Sequence, residues 1–368
     1  MEGSPKGRLL SLSQSNMTLS EFSYAINRFY EEKENDVKDL TSLLQVAHDY
    51  FFVQFDRIDV PEFSHVKYKT TLKPLLRKAE LRKELETDIS SLKNLITRCT
   101  NPAWDLAAMD EFYKFFFKSS HAVRDSHMLT SVKPKHCFYR MRSASKYEVY
   151  NRKGIFQIPS DKLRLVSRLR FSDDGHACLY LGESLYIAWE EVRRQNFDTV
   201  NFALFQNTKE LSVLDLTIQP KCIFKGHFLM AFCSILSSAK VSDDDKYKYR
   251  YEFPGLLMKA LQNNIACGGD VHGIKYVSSR RFDGKDIVIE SSSKTHAYVF
   301  PPRQPADADV DKWLSDTFLV SEVRTSFLYN IHRLNFPATN VAVTSGYQDT
   351  LFYQYEEQLK NEKLEKVK

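Results

Sequence analysis

The chain has 368 residues, 43% of them apolar and 13% aromatic, and a net charge of +5. That length predicts two domains with ample material for a packed core. The longest apolar candidate, Cys222 to Leu236, is broken by Lys225 and His227 and falls short of the ~18 residues a spanning helix needs. The start, Met1-Glu2-Gly3-Ser4-Pro5, has neither a basic nor an apolar leader region, so the expectation is a cytoplasmic protein with no membrane partner. The six cysteines, at 99, 137, 178, 222, 233 and 267, form no CxxC pair, and no HExxH or Gly-rich phosphate loop is present. Free thiols and no metal are expected.

The first 130 residues read as helices. Thr18-Leu19-Ser20-Glu21 has capping-box spacing, and Phe22, Ile26, Phe29 and Tyr30 follow at helical intervals. Leu40, Leu43, Leu44, Ala47, Tyr50 and Phe51 make a second stripe, and Leu72–Ile96 and Asp105–Phe117 two further helical candidates. The texture changes near Ser131-Val132-Lys133-Pro134. Strands are predicted at Cys137–Met141, Ala177–Leu181, Val200–Phe205, Leu211–Thr217, Asp286–Glu290 and His296–Phe300, and helices at Ser184–Gln195, Phe228–Lys240 and Pro254–Asn263. The division is 1–132 helical, 133–330 mixed and 331–368 an extension, whose charged end from Glu357 to Lys368 is expected to be solvated.

Four stretches could carry chemistry. Arg140 and Arg142 lie on one side of an alternating strand, which suits either an exposed sheet face or a clamp on phosphate. Arg170-Phe171-Ser172 leads through a polar turn to a strand carrying Tyr180. On the helix from Ser184, about 100° per residue puts Glu191 roughly 110° from the centre of the stripe Leu185, Ala188, Trp189 and Val192, and Glu190 nearer ~150°. Glu190 should then face water and Glu191 the edge of the buried side. Last comes Gly273-Ile274-Lys275-Tyr276-Val277-Ser278, a strand running into a turn.

As a set, Tyr139-Arg140, Arg170-Phe171-Ser172…Gly175…Leu179-Tyr180-Leu181, Ala188-Trp189-Glu190-Glu191 and Gly273-Ile274-Lys275-Tyr276-Val277-Ser278 resemble the RES family in order and spacing, over roughly 135–320. Two departures are Val277, where the family has proline, and an insertion between Arg140 and Arg170. The resemblance implies an α+β fold with an ADP-ribosyltransferase-like split β-core and flanking helices, behind an all-helical N-terminal region. It implies a bacterial toxin that cleaves the nicotinamide–ribose bond of NAD with water or phosphate, and a cognate antitoxin as partner, with no direct nucleic-acid contact. By the same resemblance, Arg140 and Arg170 hold the pyrophosphate or ribose side and Tyr180 stacks near the nicotinamide. Glu191 stabilises the cationic sugar, and Ser278 positions substrate. Two alternatives stay open: transfer of ADP-ribose to a protein at the same site, or a non-catalytic interaction protein that keeps the fold.

Overall fold

The computed structural model describes residues 17–58, 78–101, 106–118, 128–145, 148–156, 158, 170–172, 178–217, 225–238, 245–278, 295–303, 310–325 and 347–367. Its helices are α1 (Leu19–Asn27), α2 (Phe29–Lys33), α3 (Leu40–Arg57), α4 (Lys78–Cys99), α5 (Leu106–Tyr113), α6 (Arg152–Phe156), α7 (Leu185–Glu191), α8 (Lys225–Ser237), α9 (Glu252–Ala266), α10 (Lys312–Thr317) and α11 (Leu351–Lys360). The strands are β1 (Leu129–Val132), β2 (Cys137–Ser143), β3 (Leu179–Gly182), β4 (Val200–Asn207), β5 (Leu211–Asp215), β6 (Val271–Val277), β7 (His296–Phe300), β8 (Phe318–Val320), β9 (Arg324–Thr325) and β10 (Glu365–Lys366). The predicted strand at Asp286–Glu290 lies outside the described residues. Among those that are described, no helix is long and apolar enough to cross a membrane.

The helical region forms for the reasons its sequence gives. The Thr18 hydroxyl accepts the Glu21 N–H at 3.2 Å, and the Glu21 carboxylate accepts the Thr18 N–H at 2.7 Å. On α3 the predicted stripe is buried at Leu43, Leu44, Ala47, Tyr50 and Phe51, with Leu40 half-buried. What these helices cover is α8, whose residues from Gly226 to Ser237 are all buried. A helix apolar all round must be enclosed on every side. Here α1, α3 and α4 pack on α8, and α9 packs against both α8 and α5. Phe22, Phe51, Phe55 and Phe228 form edge-to-face contacts at 5.1–6.0 Å across that junction. One apolar cluster therefore runs from α1 into α9 and the sheet face behind it. The 132/133 division falls at the end of β1, which pairs with β5 from Leu129↔Leu214 to Val132↔Leu211. The last residues before the division thus belong to the sheet.

Among the described residues the sheet has ten strands in the order β1-β5-β6-β7-β3-β2-β4-β8-β10, with β9 also on β4. Only β5 and β6 run parallel among these pairs. β2 pairs with β4 along its whole length, Cys137↔Gln206 to Ser143↔Val200, and β3 does the same with β7. Between β2 and β3 the ladder shrinks to one pair, Tyr139↔Gly182. The sheet is thus two halves that meet at Gly182 and diverge beyond it. Gly182 is required there because a Cβ would lie 2.7 Å from Ala188 N and 2.8 Å from Ser184 O. Those atoms are helix backbone and cannot step aside. Gly182→Ala should destabilise the protein by about 1–3 kcal/mol, the range for overpacking, read from the denaturant midpoint.

The C-terminal segment departs from expectation. Tyr355 and Leu359, four residues apart on α11, are buried, and β10 extends the sheet beside β8. Arg152 Nη1 grips Glu365 at 2.9 Å. The charge run that reads as a solvated tail carries one apolar stripe, and that stripe docks on α7 and β4.

Candidate functional site

Helix α7 starts on Ser184, whose hydroxyl accepts the Ile187 N–H at 3.2 Å, and ends on Glu191. It is wedged between the β2/β3 junction and α11. The reading that turned Glu190 to water is therefore wrong. Glu190 has no exposed surface, and its carboxylate grips the Arg194 guanidinium at 2.7–3.0 Å. Arg193 and Arg194 take left-handed backbone conformations, φ 64° and 51°, which turn the chain back so that this pair can form. Phe352 of α11 packs 5.4 Å from the ring of Tyr186, which lies off the apolar stripe, and 5.4 Å from Trp189 on it. Glu190→Gln should lower stability by about 1.5–3 kcal/mol, the worth of a charged hydrogen bond, measured by chemical unfolding.

Glu191 is half-buried and is held from the sheet. The Tyr276 hydroxyl of β6 donates to its Oε2 at 3.2 Å, while its Oε1 is buried with no hydrogen-bond partner among the described residues. Burial and the negative charge of Glu191 push the Tyr276 hydroxyl well up, so it remains a donor. The Arg170 guanidinium lies 5.4 Å over the Tyr276 ring, and Phe171 packs 5.0 Å from the same ring. Tyr180 binds this segment from β3: its hydroxyl accepts the Phe171 N–H at 3.1 Å and shares a 2.9 Å hydrogen bond with Ser172. Arg170, Tyr180, Glu191 and Tyr276 thus form one connected group. Sequence reasoning assigns Tyr276 no role; the signal is its place two residues before Ser278, on an alternating strand.

Arg140 sits across the divergence. Strand alternation puts it on the face opposite Tyr139, as it puts Arg140 and Arg142 together. Arg140 is 8% exposed and donates from Nη1 to the Tyr180 backbone oxygen at 2.8 Å, bridging the gap that the missing ladder leaves. Its Nε is buried without a partner, and no carboxylate pairs with it among the described residues. Burial, with repulsion from Arg142, pushes the guanidinium down to about 9. Arg142 donates to the Gly154 oxygen and lies 5.1 Å over the Tyr150 ring. Ser278, just past β6, is fully buried, and its Oγ has no partner among the described residues. The expected residues therefore fall into a linked set on the α7 side, a buried cation on the other face, and a serine bonded to neither. Among the described residues no group of His, Cys, Asp and Glu is arranged to hold a metal ion.

No family model matches the chain, and no solved structure matches it. It is similar to a Bacillus subtilis (strain 168) protein named "Putative toxin YopC", at 27% identity over 205 residues. The match covers 50% of this chain and 45% of the relative, so less than half of that protein's length is spanned.

Proposed function

We propose that this protein binds NAD at the β2/β3 divergence and cleaves its nicotinamide–ribose bond, and that it acts as a growth-arresting toxin neutralised by a protein partner. The observation that carries the reading is a buried guanidinium, Arg140, set where two half-sheets part and with no counter-ion among the described residues, together with Glu191 on the α7 side, a carboxylate with one oxygen unsatisfied among the same residues. A buried cation without an anion is costly, and a pyrophosphate supplies the anion. A buried carboxylate oxygen without a donor is equally matched by a ribose hydroxyl. The RES-like sequence set supports this reading, and the relative's name supports the toxin part of it.

In the reaction, the bond from the ribose anomeric carbon to the nicotinamide nitrogen breaks, and its electron pair leaves on nicotinamide as a neutral amine. The ribose acquires oxocarbenium character, and a fixed carboxylate favours that state over the ground state. A water oxygen then bonds to the anomeric carbon and loses a proton. Glu191 supplies the charge, Tyr276 fixes the orientation of the carboxylate, and Arg140 and Arg170 bind the phosphate side.

Incubation with NAD tests this directly. Free nicotinamide and ADP-ribose are expected; labelled protein would indicate transfer, and no turnover at high protein concentration would remove the enzymatic reading. Arg140→Lys keeps the charge but loses the planar fork. It should weaken NAD binding by about 1.5–3 kcal/mol, measured by calorimetry. Unchanged affinity would take Arg140 out of the site.

A further inference from the structure

Four side chains from separate segments meet around one indole. Trp313 of α10 stacks on His272 of β6, with ring centroids 5.6 Å apart and planes 6° from parallel. The Arg303 guanidinium, just beyond β7, lies 3.9 Å over the Trp313 ring, and Lys209 Nζ, from the connection between β4 and β5, lies 4.9 Å over it. The face of an indole attracts cations, so Trp313 holds together two that repel each other. His272 Nδ1 accepts the Ser212 N–H at 3.0 Å, which leaves the ring proton on Nε2 and makes that nitrogen a donor. The cluster therefore offers a guanidinium, an ammonium and an imidazole N–H, and no acceptor.

The acids around this cluster are committed to other groups. Asp311 caps α10, its Oδ1 accepting the Leu314 N–H at 2.8 Å, and its Oδ2 accepts the Arg303 backbone N–H at 2.7 Å. Asp316 holds Lys366 at 3.0 Å, and Glu210 holds Lys133 at 2.8 Å. Neither Lys209 nor the Arg303 guanidinium has a carboxylate partner among the described residues. Partial burial and then Arg303 hold the Lys209 ammonium below its ordinary value, and burial does the same to Arg303. Burial and Arg303 also hold His272 low, with Asp270 offsetting part of this, so the imidazole stays neutral and keeps its donor.

We infer that Lys209, His272, Arg303 and Trp313 form a docking site for an acidic segment of a protein partner, whose carboxylate takes the planar fork of Arg303 with Lys209 beside it. Of the reading under Proposed function this deepens the partner alone. A small ligand needs a cavity that covers most of its surface, whereas Lys209 and Arg303 stand exposed. A nucleic-acid backbone gains its affinity from the number of phosphates neutralised. Here the nearby Lys133 and Lys366 are already paired, so the uncompensated charge is confined to two residues. An arginine and a tryptophan set side by side are the residue types that anchor protein interfaces, and a carboxylate matches the arginine fork in shape and charge. His272 and Tyr276 are four residues apart on β6, roughly 13 Å along the strand, so the docked carboxylate lies away from the group that holds Glu191.

The test is fluorescence anisotropy with the full chain and a labelled oligoglutamate peptide, run beside an oligothymidylate of equal charge and with inorganic phosphate as competitor. The wild type should bind the peptide, bind oligothymidylate more weakly, and keep the peptide when phosphate is added. Lys209→Gln combined with Arg303→Gln should weaken peptide binding at least roughly tenfold, the loss of one charge-assisted hydrogen bond. Arg303→Lys should lose part of that, because a point charge lacks the fork. Lys38→Gln combined with Lys83→Gln removes the same charge from exposed positions on the helical region and should change binding by less than about twofold. The two glutamine substitutions in the cluster break no ion pair among the described residues, so the denaturant midpoint and NAD turnover should hold. If the double variant does not fold, Lys209→Gln alone, at an exposed position, reads the same loss in smaller measure. No peptide binding by the wild type would overturn the inference, as would binding that survives the double variant or falls equally in the Lys38 and Lys83 control. Tighter binding of oligothymidylate, abolished by the same two substitutions, would overturn it in favour of nucleic acid. Displacement by phosphate at equal concentration would overturn it in favour of a small anion. NAD turnover by the wild type is followed separately and bears on cleavage alone.

Discussion

Glu191→Gln should reduce NAD turnover by roughly 10²–10³, about 3–4 kcal/mol, the scale for losing one preorganised electrostatic group. The substitution keeps an oxygen to accept the Tyr276 hydroxyl and preserves the size of the side chain, so the end of α7 stays where Tyr276 holds it. What is lost is the negative charge, and that charge acts once the glycosidic bond begins to break. NAD affinity should therefore change far less than turnover, and cells in which wild type arrests growth should tolerate the variant. Tyr276→Phe separates orientation from charge. It keeps the carboxylate but frees both of its oxygens, and a smaller loss is expected than from Glu191→Gln. Turnover by Glu191→Gln within a few-fold of wild type would show that the carboxylate next to Tyr276 is not the stabilising group.

Local signals carried a good part of this structure. The Thr18 capping box, the α3 stripe and the bounds of β7 follow from residues that touch along the chain. Arg140 and Arg142 share a face because alternation on β2 requires it. What stayed hidden depends on segments far apart in sequence. The solvent face of α7 was misjudged because α11, which packs on Tyr186 and Trp189, lies far along the chain, and helical periodicity records only the apolar stripe. Likewise Tyr180 reads as a strand tyrosine, and only the fold shows that its hydroxyl ties down the Phe171 and Ser172 segment. Lys209, His272, Arg303 and Trp313 come from separate segments, and nothing near any of them announces the others. The single-pair junction at Gly182 is a matter of strand register, which no local run specifies.

Glu356→Ala should cost about 2–6 kcal/mol, because two buried donors lose their acceptor and each unsatisfied group is worth roughly 1–3 kcal/mol. Glu356 lies on α11 with no exposed surface. Its Oε1 accepts the Leu185 N–H at 2.7 Å and the Tyr347 hydroxyl in a short hydrogen bond. Leu185 opens α7, and the first N–H groups of a helix have no partner within it. A carboxylate set there satisfies one of them and lies at the positive end of the helix dipole. The same short helix ends on Glu191, so the C-terminal segment fixes one end of the element that carries the candidate catalytic carboxylate at the other. The denaturant midpoint should fall while its slope stays unchanged. Turnover measured on the fully folded variant should also drop, because α7 can shift relative to Tyr276. Glu356→Gln keeps an oxygen for Leu185 and should recover most of both losses. If Glu356→Ala instead stays within about 0.5 kcal/mol of wild type, as a surface change would, α7 is positioned by its contacts with β2 and β3 alone.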